Sequence, residues 1–164
     1  MDALAFLREQ SAQADRNLRQ VFTPVMPDQA QWRLAGSTAN TIGATFMHAY
    51  FSEDQMVQDM RGASSIFENG GWRDRLGYDH SNVWTFEGRH DPRLLLEYAE
   101  AVAAATEAFL AELDPAALDD VIDTPRGPQP RARRLSVYLV HHKAQHAGEI
   151  AALLGCQGVK GLPF

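Results

Sequence analysis

Cysteine is almost absent from the chain: Cys156 is the only one in 164 residues. A lone cysteine excludes an internal disulfide framework and suits a reducing compartment. Long apolar runs are missing too. None approaches the roughly 20 residues needed to span a bilayer. The N-terminus lacks the basic start of a secretory leader, since Asp2 follows Met1 and the apolar stretch breaks at Arg8. These absences predict a cytoplasmic protein with no membrane partner. Positive charge is scarce as well. Fifteen Lys and Arg against 21 Asp and Glu leave a formal charge of −6, which disfavours a phosphate-rich nucleic-acid partner. β-Branched residues are sparse beside a high alanine content, which favours helix over sheet.

What remains is a chain of ordinary hydrophobic content, 45%, long enough to form one domain over residues 1–164 without staples. Four segments carry helical periodicity. The first spans about 3–21, with Leu4, Leu7, Ala14, Leu18 and Val21 on one face and Ser11 as the polar break. Pro24 and Pro27 end it. The second begins near Asn40, with STAN as its cap, and stops near Gly62; it is apolar around much of its circumference. The third starts at Asp91-Pro92, a cap followed by proline at the first helical position, and carries a seam through Leu95, Tyr98, Val102, Ala105 and Phe109. The fourth spans about 131–154, with Gly155 placed to terminate it. Between the second and third lies a glycine-punctuated aromatic stretch, residues 61–90, in which GWRDRLG reads as a short helix. The pattern predicts an all-α, four-helix bundle with a long crossover loop between helices two and three. Phe164 is expected to tuck against it.

The chemistry concentrates in helix four. Its three-four spacing runs Leu135, Leu139, His142, His146, Glu149, Leu153, with leucines at the ends and polar groups in the middle. His142 and His146 are one turn apart and project together. Imidazoles buried there need a partner, and a divalent metal chelated by the pair is one. His48, amid Phe46, Met47, Tyr50 and Phe51, is a candidate third ligand at compatible depth. The alternatives are a chance HxxxH pair and a satisfied core histidine. A zinc-protease helix is disfavoured because Lys143 occupies the place of the general-base glutamate.

The other polar candidates divide as follows. Glu149 is placed to orient a ligand or take a proton. His141 points about 100° away from His142 and is expected not to ligate. His80 and His90 read as surface histidines of the loop. Cys156, past the expected helix end, reads as structural. Trp72, Tyr78 and Trp84 either line a pocket or pin the loop to the core. Arg131, Arg133 and Arg134 crowd a helix start, where positive charge opposes the dipole. They suit a frayed, solvated turn, an anion site, or pairing with acidic residues of helix three.

One histidine in helix two (NTIGATFMHAYFSEDQMV), an HxxxH pair in helix four (QHAGEIAALLG, then GVKGLPF) and the GGWRDRLG loop together resemble the DinB-like superfamily of four-helix metal-binding bundles. The resemblance implies one divalent ion (zinc, nickel, iron or manganese) on His48, His142 and His146 with open positions, and often a homodimer. It also implies chemistry like that of S-transferases, which join a low-molecular-weight thiol to an electrophile; many members have no known activity. Alternatives are a metal-hydroxide hydrolase or isomerase, and a non-catalytic bundle that binds a metal or small ligand.

Overall fold

A computed structural model describes residues 2–78, 90–124 and 126–162 of the chain. Among the described residues eight α-helices run in order: α1 (Ala3–Phe22), α2 (Pro27–Gln31), α3 (Ile42–Arg61), α4 (Ile66–Asn69), α5 (Trp72–Leu76), α6 (Pro92–Glu112), α7 (Arg131–Ser136) and α8 (Lys143–Cys156). A 3-10 turn (Pro115–Asp119) and a minimal antiparallel ladder, β1 (Val121–Ile122) against β2 (Gln129–Pro130), fill the connection from α6 to α7. A π-helical turn, Val137–His142, joins α7 to α8 without breaking the right-handed path. The result is an all-α, four-helix bundle built from α1, α3, α6 and the 131–156 helix. Packed neighbours follow the cycle α1, α8, α3, α6 and back to α1.

Local chemistry sets the ends. Asp2 caps α1 by accepting from the Ala5 N–H, and Asp91 caps α6 through the Arg93 N–H. The cap of α3 is Thr41, bonded to the Ala44 N–H, slightly later than the STAN stretch suggests. Gly62 closes α3 in the left-handed region (φ 66°), where a side chain would be strained. The last helix does not stop at Gly155. It continues to Cys156, which is exposed, and Gly158 takes the positive φ.

The core divides into two apolar clusters. One takes Leu4 and Leu7 from the start of α1, Met56 and Val57 from the end of α3, Phe109 and Leu110 from the end of α6, and Leu135 and Leu139. The other takes Leu18, Val21 and Phe22, then Phe46, Met47 and Tyr50, then Leu95 and Tyr98, with Ile150 and Leu154. Each fully buried leucine or phenylalanine contributes about 1.5–3 kcal/mol of transfer free energy. Cluster membership also fixes direction. α3 and α6 run parallel to each other and antiparallel to α1 and the last helix. A parallel pair needs a long crossover, and residues 62–91 supply it.

The described part of that crossover is anchored to the core. The buried Asp54 carboxylate on α3 accepts from the Ile66 N–H and the Phe67 N–H, both at 2.9 Å, so it caps α4 from outside. It also accepts from the Tyr98 hydroxyl at 2.9 Å. Burial raises the Asp54 pKa despite these three bonds. Phe67, Trp72 and Tyr78 are buried together with Leu76, so these side chains pin the segment down, and GWRDRLG does form a helix, α5. His80, Trp84 and Phe164 lie outside the described residues.

His90 corrects the sequence reading. It is 3% exposed, not a surface residue. Its Nδ1 is hydrogen-bonded to the Tyr78 hydroxyl and its Nε2 to Thr41 Oγ1 at 3.2 Å. Gly43 makes room for it, since a Cβ there would lie 2.4 Å from the His90 ring.

A candidate metal centre on the shoulder between two helices

The buried line of the last helix is Leu135, Leu139, Lys143, Ala147 and Ile150. It is not the seam through the histidines that simple three-four spacing predicts. His142 and His146 sit one position before that line, half-buried on the shoulder facing α3. The π turn that ends at His142 inserts a wider loop into the hydrogen-bond ladder, a distortion often found beside functional positions. On α3, His48 is the one residue between 41 and 54 that is not buried. It marks the point where the α3–α8 seam opens to solvent.

The structure brings these three imidazoles together. His142 Nε2 lies 3.2 Å from His48 Nε2 and 3.0 Å from His146 Nε2. One ligand nitrogen from each fits within a 4.8 Å sphere of mutual distances. The rings meet edge to face: His48 with His142 at 69°, His48 with His146 at 87°, His142 with His146 at 82°. A cation about 2.0–2.1 Å from each of two nitrogens sets them about 2.8–3.4 Å apart at octahedral to tetrahedral angles. The observed separations from His142 fall in that range.

The donor chemistry fits a cation better than a proton. His146 Nδ1 is 2.7 Å from Glu149 Oε2, so Nδ1–H donates to the carboxylate and Nε2 keeps its lone pair. One proton can bridge one pair of nitrogens, whereas a single cation can be shared by three nitrogens at this mutual spacing. Protonation is also disfavoured there. Burial, then the neighbouring His146 and His48, push His142 down to about 3. His48 is lowered by burial and by His146, with Glu149 acting in the opposite sense. His142 Nδ1 is buried and has no hydrogen-bond partner among the described residues.

The remaining candidates separate cleanly. His141 is exposed and points away from the cluster. Glu149 reaches the cluster only through His146. The arginines at the start of α7 have separate partners, although Arg131 and Arg134 line one cavity together with Asp59 and Asp123. Arg131 donates to Asp120 Oδ2 at 2.9 Å and to the Ala117 carbonyl at 2.8 Å, in the 3-10 connection and not in α6. Arg134 stacks over the Tyr138 ring at 4.4 Å, and Arg133 is exposed.

Sequence reasoning missed a second polar constellation. Lys143 is 1% exposed, and its Nζ lies 3.2 Å from Asp15 Oδ1 and 2.6 Å from Glu53 Oε2. Glu53, 0% exposed, accepts from the Thr106 hydroxyl at 2.8 Å. Asp15 accepts from the Tyr50 hydroxyl at 2.8 Å and pairs with Arg19 at 2.5 Å. Asp15, Glu53, Thr106 and Lys143 come one from each bundle helix and form a polar layer between the two apolar clusters. Burial raises Glu53 above the ordinary carboxylate value although Lys143 and Thr106 pull it down. The signal was present in the sequence: Lys143 stands four residues from both Leu139 and Ala147, on the line that continues the leucines.

A four-helix bundle carrying three converging imidazoles on one seam defines the class. Residues 10–150 match the family model of the DinB superfamily, and the chain belongs to that superfamily. The fold is similar to one described as the crystal structure of the conserved protein of locus from Enterococcus faecalis. The two share 17% identity at a TM-score of 0.76, over 93% of this chain and 95% of that one. At that identity the likeness speaks for the fold alone. No curated protein matches the chain. No described helix is long and apolar enough to cross a membrane.

Proposed function

We propose that His48, His142 and His146 hold one divalent cation (zinc, nickel, iron or manganese) and that the protein is a metal-dependent S-transferase for a low-molecular-weight thiol. The observation that carries this reading is the convergence of three Nε2 atoms, with His146 fixed in the ligating tautomer by Glu149. Such an ion, when bound, favours thiolate over thiol at neutral pH and so supplies a nucleophilic sulfur. The chain's own contribution is placement. α3 and the last helix hold the rings at ligand spacing, Glu149 orients His146, and the half-buried shoulder leaves the centre within reach of a small molecule. Family membership supports the thiol as co-substrate, with a small electrophile as the second partner and no nucleic acid. The same reading has the protein as a cytoplasmic homodimer.

The test is conjugation of several small thiols to a model electrophile by untagged, metal-loaded protein. Turnover that disappears in His142→Ala and after chelation supports the assignment. A metal-loaded protein that turns over none of the thiols contradicts the transferase and leaves a metal-binding bundle. Hydrolysis or isomerisation without added thiol replaces it with the metal-hydroxide reading.

A further inference from the structure

The polar layer lies at the bottom of a cleft. Between α1 and α6 a cavity of about 520 Å³ is lined by Ser11, Asp15, Glu53, Thr106 and Lys143 within and by Arg8, Arg16, Arg19, Glu9 and Glu107 toward the mouth. That volume lies in the range of small-molecule sites. Alanines make the space: Ala5 and Ala12 on α1 and Ala103 on α6 form its walls. None of the three clustered histidines lines it.

Its buried groups retain hydrogen-bonding capacity. Lys143 has three N–H donors, and among the described residues Asp15 and Glu53 account for two. Glu53 Oε2 meets the Lys143 ammonium but has no geometrically sound hydrogen bond, and Arg19 Nε is buried without an acceptor among the described residues. An ammonium donor beside a carboxylate acceptor suits a hydroxyl group, which both donates and accepts. An unused guanidinium N–H with two further arginines at the mouth suits an oxyanion. The ion pairs that engage Arg8 and Arg16 with Glu107 and Glu9 are solvent-exposed, and such pairs contribute little stability. Exchanging one for a ligand oxyanion is therefore inexpensive, whereas the Lys143–Glu53 pair beneath stays fixed.

We infer that the α1–α6 cleft is a second ligand site, separate from the histidine cluster, for a small hydroxylated oxyanion of the sugar-phosphate or sugar-acid type. The anionic group sits against the arginines and a hydroxyl reaches Lys143 and Glu53.

Titration of the 15N-labelled full chain with glucose 6-phosphate and with gluconate tests this and distinguishes phosphate from carboxylate. Glucose and inorganic phosphate serve as controls. At least one of the two hydroxylated anions is expected to shift the amides of Arg8, Ser11, Thr106 and Lys143 at millimolar concentration or below. Glucose and phosphate alone should shift them far less. Arg8→Ala should weaken binding about tenfold, as loss of one charge-assisted contact does. Ala103→Leu and Ala12→Leu fill the cleft without touching the buried charges and should abolish binding. The chelated protein should bind equally well, so failure here is separate from failure of the metal assignment. The inference is overturned if neither hydroxylated anion shifts those amides. It is also overturned if the cleft-filling variants still bind, or if inorganic phosphate acts as strongly as the sugar derivatives, which leaves an adventitious ion only.

Discussion

His142 and Lys143 are adjacent in sequence and belong to two polar regions with opposite logic. Lys143 enters the bundle centre, where Asp15 and Glu53 from two other helices pair with it and Thr106 from a third donates to Glu53. The layer is charge-paired within the protein, Lys143 lying between Asp15 and Glu53, while its spare hydrogen-bonding capacity faces the α1–α6 cleft. His142 turns to the shoulder, where its nearest polar neighbours are two more lone-pair donors. The polar layer ties four helices to one register through its internal charge pairs, whereas the histidine cluster groups three imidazoles at a spacing that could hold a cation. A bundle can thus place a buried ion-paired layer and a half-buried histidine cluster on neighbouring positions of one helix.

The sharpest way to break this contrast is to remove its centre. Lys143→Met leaves Glu53 and Asp15 buried with one cation fewer and should cost about 3–5 kcal/mol in urea unfolding, the usual penalty for orphaning half of a buried pair. Combining it with Glu53→Leu removes the stranded carboxylate and should recover a substantial part of that loss. If Lys143→Met unfolds like the wild type, the layer is not the structural element described here.

The next largest effect concerns the cation. His142→Ala should change the metal-free stability by no more than about 1 kcal/mol, because a half-buried ring gives up little on truncation. Metal affinity, followed by titration calorimetry, should fall by roughly 100-fold or more, beyond what loss of an orienting partner does. Equal metal affinity in the variant would mean the ion binds elsewhere. Glu149→Gln is the milder test. Losing the carboxylate that fixes the His146 tautomer should weaken metal binding about tenfold, at the low end for such partners, and leave unfolding unchanged.

The remaining effect is in pH. His142 is held down to about 3 in the folded protein, against 6.5 for an ordinary histidine. Between these values the unfolded chain carries the proton and the folded metal-free chain does not. The group's contribution is therefore present above pH 6.5 and is lost as pH falls toward about 3. Measured without metal, the stability difference between wild type and His142→Gln should shift against the wild type across that window. A difference that grows in the wild type's favour toward acid would contradict the placement of this ring.

Much of the fold was legible because burial writes a period into the chain. The four long helices, the Asp91-Pro92 start, the crossover and α5 follow from spacing and caps. The three histidines could be singled out because imidazoles are conspicuous in an apolar stretch. Lys143 was not, since a lysine reads as solvated until its neighbours are known, and the carboxylates that pair with it lie on two other helices. The π turn was hidden for a related reason. It changes which face of the helix is buried, yet no residue type marks it, so spacing alone put the histidines where Lys143 sits. His90 read as surface because its partners, Thr41 and Tyr78, are 49 and 12 residues away.

The central claim is that three imidazoles share one cation. Elemental analysis of untagged protein, combined with anomalous scattering from its crystals, tests it most directly. The account predicts near one divalent ion per chain and a single anomalous peak at ligand distance from the Nε2 atoms of His48, His142 and His146. Protein that purifies without metal, takes up neither zinc nor nickel, and shows no peak between those rings would contradict it.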